Sequence, residues 1–240
     1  MDLVIINNEA VYESVVAWQF YVDPIVGSLY PVVGGVSGGT VVEVVGSGFL
    51  NTWSTYCRFG DTSVPAKWMS DTLMSCTSPL VDTGVAGAVN VEVSMNNQQY
   101  GLSEVSFEYQ GMASVTSLDP TKGPAQGGTF MVVRGSGFSQ RSSSLEYMYC
   151  MFNTTRVVAS YVSEVEMHCV APEGLIGYVS LEMSNNDADY TESGVQFEYE
   201  DVMVGSVHPS SGMMSGGTEV RVLGEHFHMP GSKGLWCKFG

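Results

Sequence analysis

Short runs of alternating apolar and polar residues dominate the chain. TVVEVV (Thr40–Val45), TEVRVL (Thr218–Leu223), VNVEVSM (Val89–Met95) and VSLEMS (Val179–Ser184) alternate or run in β-branched residues. Such runs favour strands with one face buried. Apolar residues at helical spacing are hard to find anywhere. In the first run, alternation sets Thr40, Val42 and Val44 on one face and Val41, Glu43 and Val45 on the other. Gly and Pro bound the segments. Each unit of the chain reads as about seven short strands, which suggests an all-β protein built of β-sandwiches.

The glycine-rich stretch GPAQGGTFMVVRGSGF, Gly123 to Phe138, invites comparison with phosphate-binding loops. A P-loop needs Lys-Ser or Lys-Thr after its last glycine. Phe138 stands there instead, and the spacing of a dinucleotide fingerprint is missing too. The stretch is part of a repeat. VSGGTVVEVVGSGF (Val36–Phe49), AQGGTFMVVRGSGF (Ala125–Phe138) and MSGGTEVRVLGEHF (Met214–Phe227) share one register, with 128 − 39 = 89 and 217 − 128 = 89 for their second glycines. Pro31, Pro120 and Pro209 follow the same spacing, as do the pairs Asn7-Asn8, Asn96-Asn97 and Asn185-Asn186. A repeat this long is a whole small domain, so the chain reads as an array of domains. The expected division is 1–23, the end of a preceding domain, then complete domains at 24–111 and 112–201, then the start of a further one at 202–240. The Asn pairs are expected in tight hairpin turns, where Asn tolerates positive φ.

The N-terminus, MDLVIINNEA, lacks the basic region and long apolar run of a signal peptide. It matches the tail of a repeat, so the sequence is expected to be an internal piece of a longer chain. No run of about 20 apolar residues occurs. Net charge is −16, from 9 basic and 25 acidic residues. That opposes nucleic-acid binding, which rests on basic residues neutralising phosphate, and contact with an anionic membrane.

Cysteine spacing changes the picture. Cys57 and Cys76 are 19 apart, as are Cys150 and Cys169. Cys237 matches Cys57 and Cys150 by context (YCRF, YCMF, WCKF), and its partner is expected beyond residue 240. One pair per unit suggests intradomain disulfides in an oxidising compartment. Zinc is the competing reading, weakened by the absence of CxxC and of an accompanying His pair.

At this point the residues resemble a known family. The order Pro, Gly-Gly-Thr, Gly-Ser-Gly-Phe, aromatic-Cys-x-Phe, Cys-x-x-Pro (CTSP at Cys76–Pro79, CVAP at Cys169–Pro172) and Phe-Glu-Tyr is similar to that of the IPT/TIG domain (immunoglobulin-like, plexins, transcription factors). The likeness covers both complete units and both fragments. It implies tandem immunoglobulin-like β-sandwiches of IPT/TIG type, with a disulfide for each cysteine pair. His226 departs from the pattern, standing where the other copies have the second glycine of GSGF.

Candidate chemistry is sparse. His226 and His228 form His-x-His, which suits a metal on a strand face but lacks a third ligand. His168 and His208 sit where the first unit has Ser75 and Tyr30, so a catalytic role is not expected. Glu198, Glu200 and Asp201 cluster without a calcium-ligand ladder. No catalytic, cofactor or metal site is expected, and no enzyme. Asn153-Thr154-Thr155 is an N-glycosylation sequon. Val41, Val45, Phe130 and Val132 should point away from the core and form a candidate interaction surface. The segments between units, FEYQGMASV and FEYEDVMVGSV, hold no flexible spacer, which suits a stiff rod.

These readings lead to a structural or adhesive segment of a long extracellular or cell-surface protein. Its partners would be proteins: other copies of itself, filament subunits or cell-surface subunits. The alternative is the stalk of a plexin-like or fibrocystin-like receptor ectodomain. An accessory domain of a carbohydrate-active enzyme and a DNA-binding module are the other classes the family contains. Charge and cysteines oppose the second.

Overall fold

The computed structural model describes residues 2–7, 10–17, 20–81, 84, 86–227 and 236–239, the first two stretches by backbone alone. β1 (Asp2–Asn7) and β2 (Ala10–Ala17) form an antiparallel pair. The first full repeat contains β3 (Ile25–Tyr30), β4 (Val33–Gly35), β5 (Val41–Ser47), β6 (Tyr56–Phe59), β7 (Thr62–Ser70), β8 (Leu73–Thr77), β9 (Gly87–Ser94) and β10 (Ser106–Gln110). The second contains β11 (Ser114–Asp119), β12 (Lys122–Pro124), β13 (Phe130–Ser136), helix α1 (Gln140–Ser144), β14 (Tyr149–Phe152), β15 (Thr155–Val158), β16 (Ser160–Ser163), β17 (Glu166–Val170), β18 (Gly177–Ser184) and β19 (Gln196–Glu200). β20 (Met203–His208) and β21 (Arg221–Glu225) begin the third.

The second repeat packs a four-stranded sheet, β11-β13-β17-β16, against a five-stranded one, β12-β19-β18-β14-β15. The first repeat has the same order, but its long β7 pairs with both β6 and β8 and links the strands into one eight-stranded sheet. Alternation builds the cores. Val42 and Val44 are buried while Val41 and Val45 are exposed, and Met131 and Val133 repeat this in β13. Phe49 and Phe138, which close the GSGF motifs, are buried as well.

GSGF has a structural reason. A Cβ on Gly135 would lie 1.9 Å from the Ser114 carbonyl oxygen, so only glycine lets β11 approach there. The second glycine turns left-handed, with φ of 76° at Gly48 and 72° at Gly137, and His226 adopts 57° at the same position.

The spacing is not uniform. Cys150 − Cys57 is 93 rather than 89, and the four extra residues lie between Phe138 and Tyr149, where α1 forms. Ser139 caps it, its hydroxyl accepting from the Ser142 N–H at 3.1 Å. The Asn pairs need a correction. Cys57 faces Val93 and Cys150 faces Met183, so strand register makes Asn96 equivalent to Asn186, 90 apart. Asn185 is therefore not the counterpart of Asn96. At Asn7 the expected antiparallel pairing holds, with Asn7 opposite Ala10, but the later turns are not tight hairpins: Asn96 and Asn186 open long connections, from β9 to β10 and from β18 to β19. Positive φ falls one residue later, at Asn97 and Asp187. The side-chain amide carbonyl of Asn96 or Asn186, caught by downstream N–H groups, makes the turn, and the positive φ falls on the second Asn of the pair in the first repeat but on Asp187, outside the pair, in the second. Asn8, in the first of the three pairs, lies outside the described residues.

By compactness the chain forms two units. One comprises Met1–Tyr30, Val41–Pro79 and Ala88–Phe107; the other comprises Pro31–Thr40, Leu80–Gly87 and Glu108–Gly240.

Candidate functional site

Two outward faces carry the apolar residues singled out from the sequence. In the first unit, Val41 and Val45 are 56% and 42% exposed on β5, flanking Glu43. In the second, Phe130 is 52% exposed and pairs across the strands with exposed Val170; Val132 beside it is half-buried and opposite His168. The Phe130 and His168 rings meet with centroids 4.8 Å apart. Glu166 holds both Arg134 (3.7 Å) and His168 (3.5 Å), so charge closes one end of this stripe.

The second unit also contains a polar cradle that sequence reasoning missed. Asn186 is buried, and its Oδ1 accepts from the Ala188 and Asp189 N–H groups at 3.0 and 2.8 Å. Its Nδ2 donates to Asp189 Oδ2 at 2.7 Å and to the Val33 carbonyl at 3.3 Å. The Thr40 hydroxyl donates to the same Asp189 oxygen at 2.5 Å. Just upstream, the buried Glu182 carboxylate accepts from the Thr191 hydroxyl and from the N–H groups of Ser193 and Gly194. Burial pushes this carboxyl up, but the bonds from Ser193, Thr191 and Gly194 outweigh it and hold it below its ordinary value. Within the same unit α1 reaches residues 108 and 110: Arg141 lies 3.4 Å from Glu108, and the Ser142 hydroxyl donates to Gln110 at 3.1 Å. The only sequence signal for these contacts was the four-residue excess.

Two open clefts lie on the second unit. A cleft lined by Val33, Gln110, Met112, Asn186 and Tyr190 holds about 80 Å³, well under the roughly 300 Å³ at which ligand pockets begin. A wider hollow beside α1, lined by Glu146, Tyr149, Ser160 and Tyr161 among others, has no buried polar side chain facing it.

The cysteines are joined as Cys57–Cys76 and Cys150–Cys169, with Cα atoms 6.3 and 6.5 Å apart, while Cys237 is exposed and unpaired. Asn153 is exposed at the β14–β15 turn with φ 51°; its Oδ1 accepts from the Ser180 N–H at 3.2 Å. Among the described residues no three His, Cys, Asp or Glu side chains gather as metal ligands. His226 places Nδ1 2.9 Å from the Asp201 carbonyl, while His228 lies outside the described residues. Glu198 and Glu200 are not a bare acid cluster: Lys122 Nζ sits 3.3 and 2.8 Å from them. No described helix is long and apolar enough to cross a membrane.

The family model for the IPT/TIG domain matches residues 24–109 and 113–199. Human Fibrocystin-L is 25% identical over 173 residues, which are 70% of this chain and 4% of that protein. The plexin A4 extracellular region superposes with a TM-score of 0.53 at 18% identity, over 84% of this chain and 18% of that one. The chain thus spans a small fraction of the relatives it matches.

Proposed function

This chain belongs to the IPT/TIG domain family, and on that premise we propose that it is a non-catalytic structural segment of an extracellular or cell-surface protein. The observation carrying this is the tandem itself: two matched copies separated by residues 110–112 alone, each with its own disulfide. Copies joined so closely suit a semi-rigid rod whose outward faces contact other proteins. We assign domains at 24–111 and 112–201, with parts of neighbouring domains at 1–23 and 202–240. Val41, Val45, Phe130 and Val132 would supply the lateral contact, copies of the same protein being one partner, as in a filament. The likeness to Fibrocystin-L and plexin A4 favours a second reading, a stalk within a receptor ectodomain.

Non-reducing peptide mapping of native material tests the premise. Cys57–Cys76 and Cys150–Cys169 are expected as linked peptides, with a glycan on Asn153 and with peptides continuing past Met1 and Gly240. Free thiols throughout would place the chain in a reducing compartment and overturn the reading. A membrane-spanning segment in the continuing peptides would select the receptor stalk over the free structural segment.

A further inference from the structure

Thr40, Thr129 and Thr218 share one repeat position, since 129 − 40 = 89 and 218 − 129 = 89. Each follows the Gly-Gly turn. A Cβ on Gly123 would lie 2.1 Å from Thr129 Oγ1, and one on Gly212 would lie 2.6 Å from Thr218 Oγ1. Glycine six residues earlier therefore makes the room in which this hydroxyl sits.

The two complete repeats differ in what meets the hydroxyl. Thr40 is fully buried and donates to Asp189, whose partner Asn186 also donates to the Val33 carbonyl. Thr129 is 2% exposed, and among the described residues its hydroxyl is buried with no hydrogen-bond partner. A buried hydroxyl without a partner bears its whole desolvation penalty, so such groups call for an explanation. The residue that satisfies Thr40 lies 149 positions further along the chain. The same interval from Thr129 ends at 129 + 149 = 278, outside these 240 residues.

We propose that Gly123 and Thr129 form a socket for an Asn-x-x-Asp turn of the domain that β20 and β21 begin. This rests on the array reading above. In the socket, the incoming carboxylate accepts from the Thr129 hydroxyl. The incoming Asn amide donates to the Lys122 carbonyl, which stands 122 − 33 = 89 residues after Val33. Asn186 and Asp189 show the required chemistry at Val33 and Thr40. The partner turn keeps its shape by itself: the Asn96 turn has the same build, Nδ2 donating to Gln99 Oε1 at 2.6 Å.

The test compares Thr40→Val and Thr129→Val in two chains: these 240 residues, and the natural chain carried through its complete third domain. Thermal unfolding is the readout. Thr40→Val should lower the transition by roughly 3–8 °C in both chains, and Asp189→Ala should abolish that difference. Thr129→Val should be harmless or stabilising in the shorter chain and match Thr40→Val in the longer one. An equal loss in both chains would show that Thr129 has its partner within the second repeat, and would overturn the socket. So would a harmless Thr129→Val in the longer chain, leaving the array reading intact. If peptide mapping finds no complete third domain in native material, the array reading falls and takes the socket with it.

Discussion

Glu92 and Glu182 occupy equivalent strand positions, 182 − 92 = 90, and find different partners. Glu92 faces Arg58 across the strands and accepts from its guanidinium Nε at 3.0 Å. Glu182 faces Met151 and turns to the 191–194 loop, taking its hydrogen bonds there. Replacing it by Gln leaves one acceptor oxygen for a loop that presents several donors. The folded-state pKa of Glu182 is lowered from 4.5. Its ionised form therefore stabilises fully above that value, and the contribution is withdrawn as pH falls through the lower folded-state pKa. Glu182→Gln should lower the melting temperature by roughly 3–8 °C at neutral pH, with the gap to the parent protein closing below pH 4.5. Melting curves from neutral pH downward check this; a gap that ignores pH would mean that the charge is irrelevant to the loop.

At the scale of elements, each disulfide joins strands that do not pair with each other, β6 to β8 and β14 to β17. Closing a loop of this length removes unfolded-state entropy, worth about 3 kcal/mol. Replacing Cys57 and Cys76 together by Ser should lower the urea-derived stability of the first repeat by about that amount. An unchanged denaturation midpoint would mean that packing alone holds β6 and β8 together. These elements were legible because their signals are local: alternation placed Val42 and Val44 inside, and 19-residue spacing paired the cysteines. The Asn turns were not, because identical doublets 89 apart concealed an insertion at α1 and a shortening before β18. Strand register, a long-range property, decides equivalence there. The cradle at Asn186 was invisible for the same reason. Its partners Thr40 and Val33 lie 149 and 153 residues away in sequence, and nothing in either segment alone names the other.

For the whole molecule, the proposed lateral contact must overcome charge. At −16, copies repel one another at low ionic strength, and salt screens that repulsion within about 10 Å at 0.1 M. Contact through Val41, Val45 and Phe130 is apolar and is not weakened by the same salt. Association of the native protein should therefore strengthen as salt rises, the reverse of what an ion-paired interface would show. Changing Val41, Val45 and Phe130 together to Ser should abolish it. These side chains are about half exposed, so such changes should alter folding stability by only about 0.5 kcal/mol each. Light scattering across a salt series, run beside a melting curve for each protein, separates the two effects. If the triple variant melts like the parent and still associates at high salt, the contact lies elsewhere on the molecule. If it melts like the parent and stays dispersed, copies of the protein meet through these outward residues.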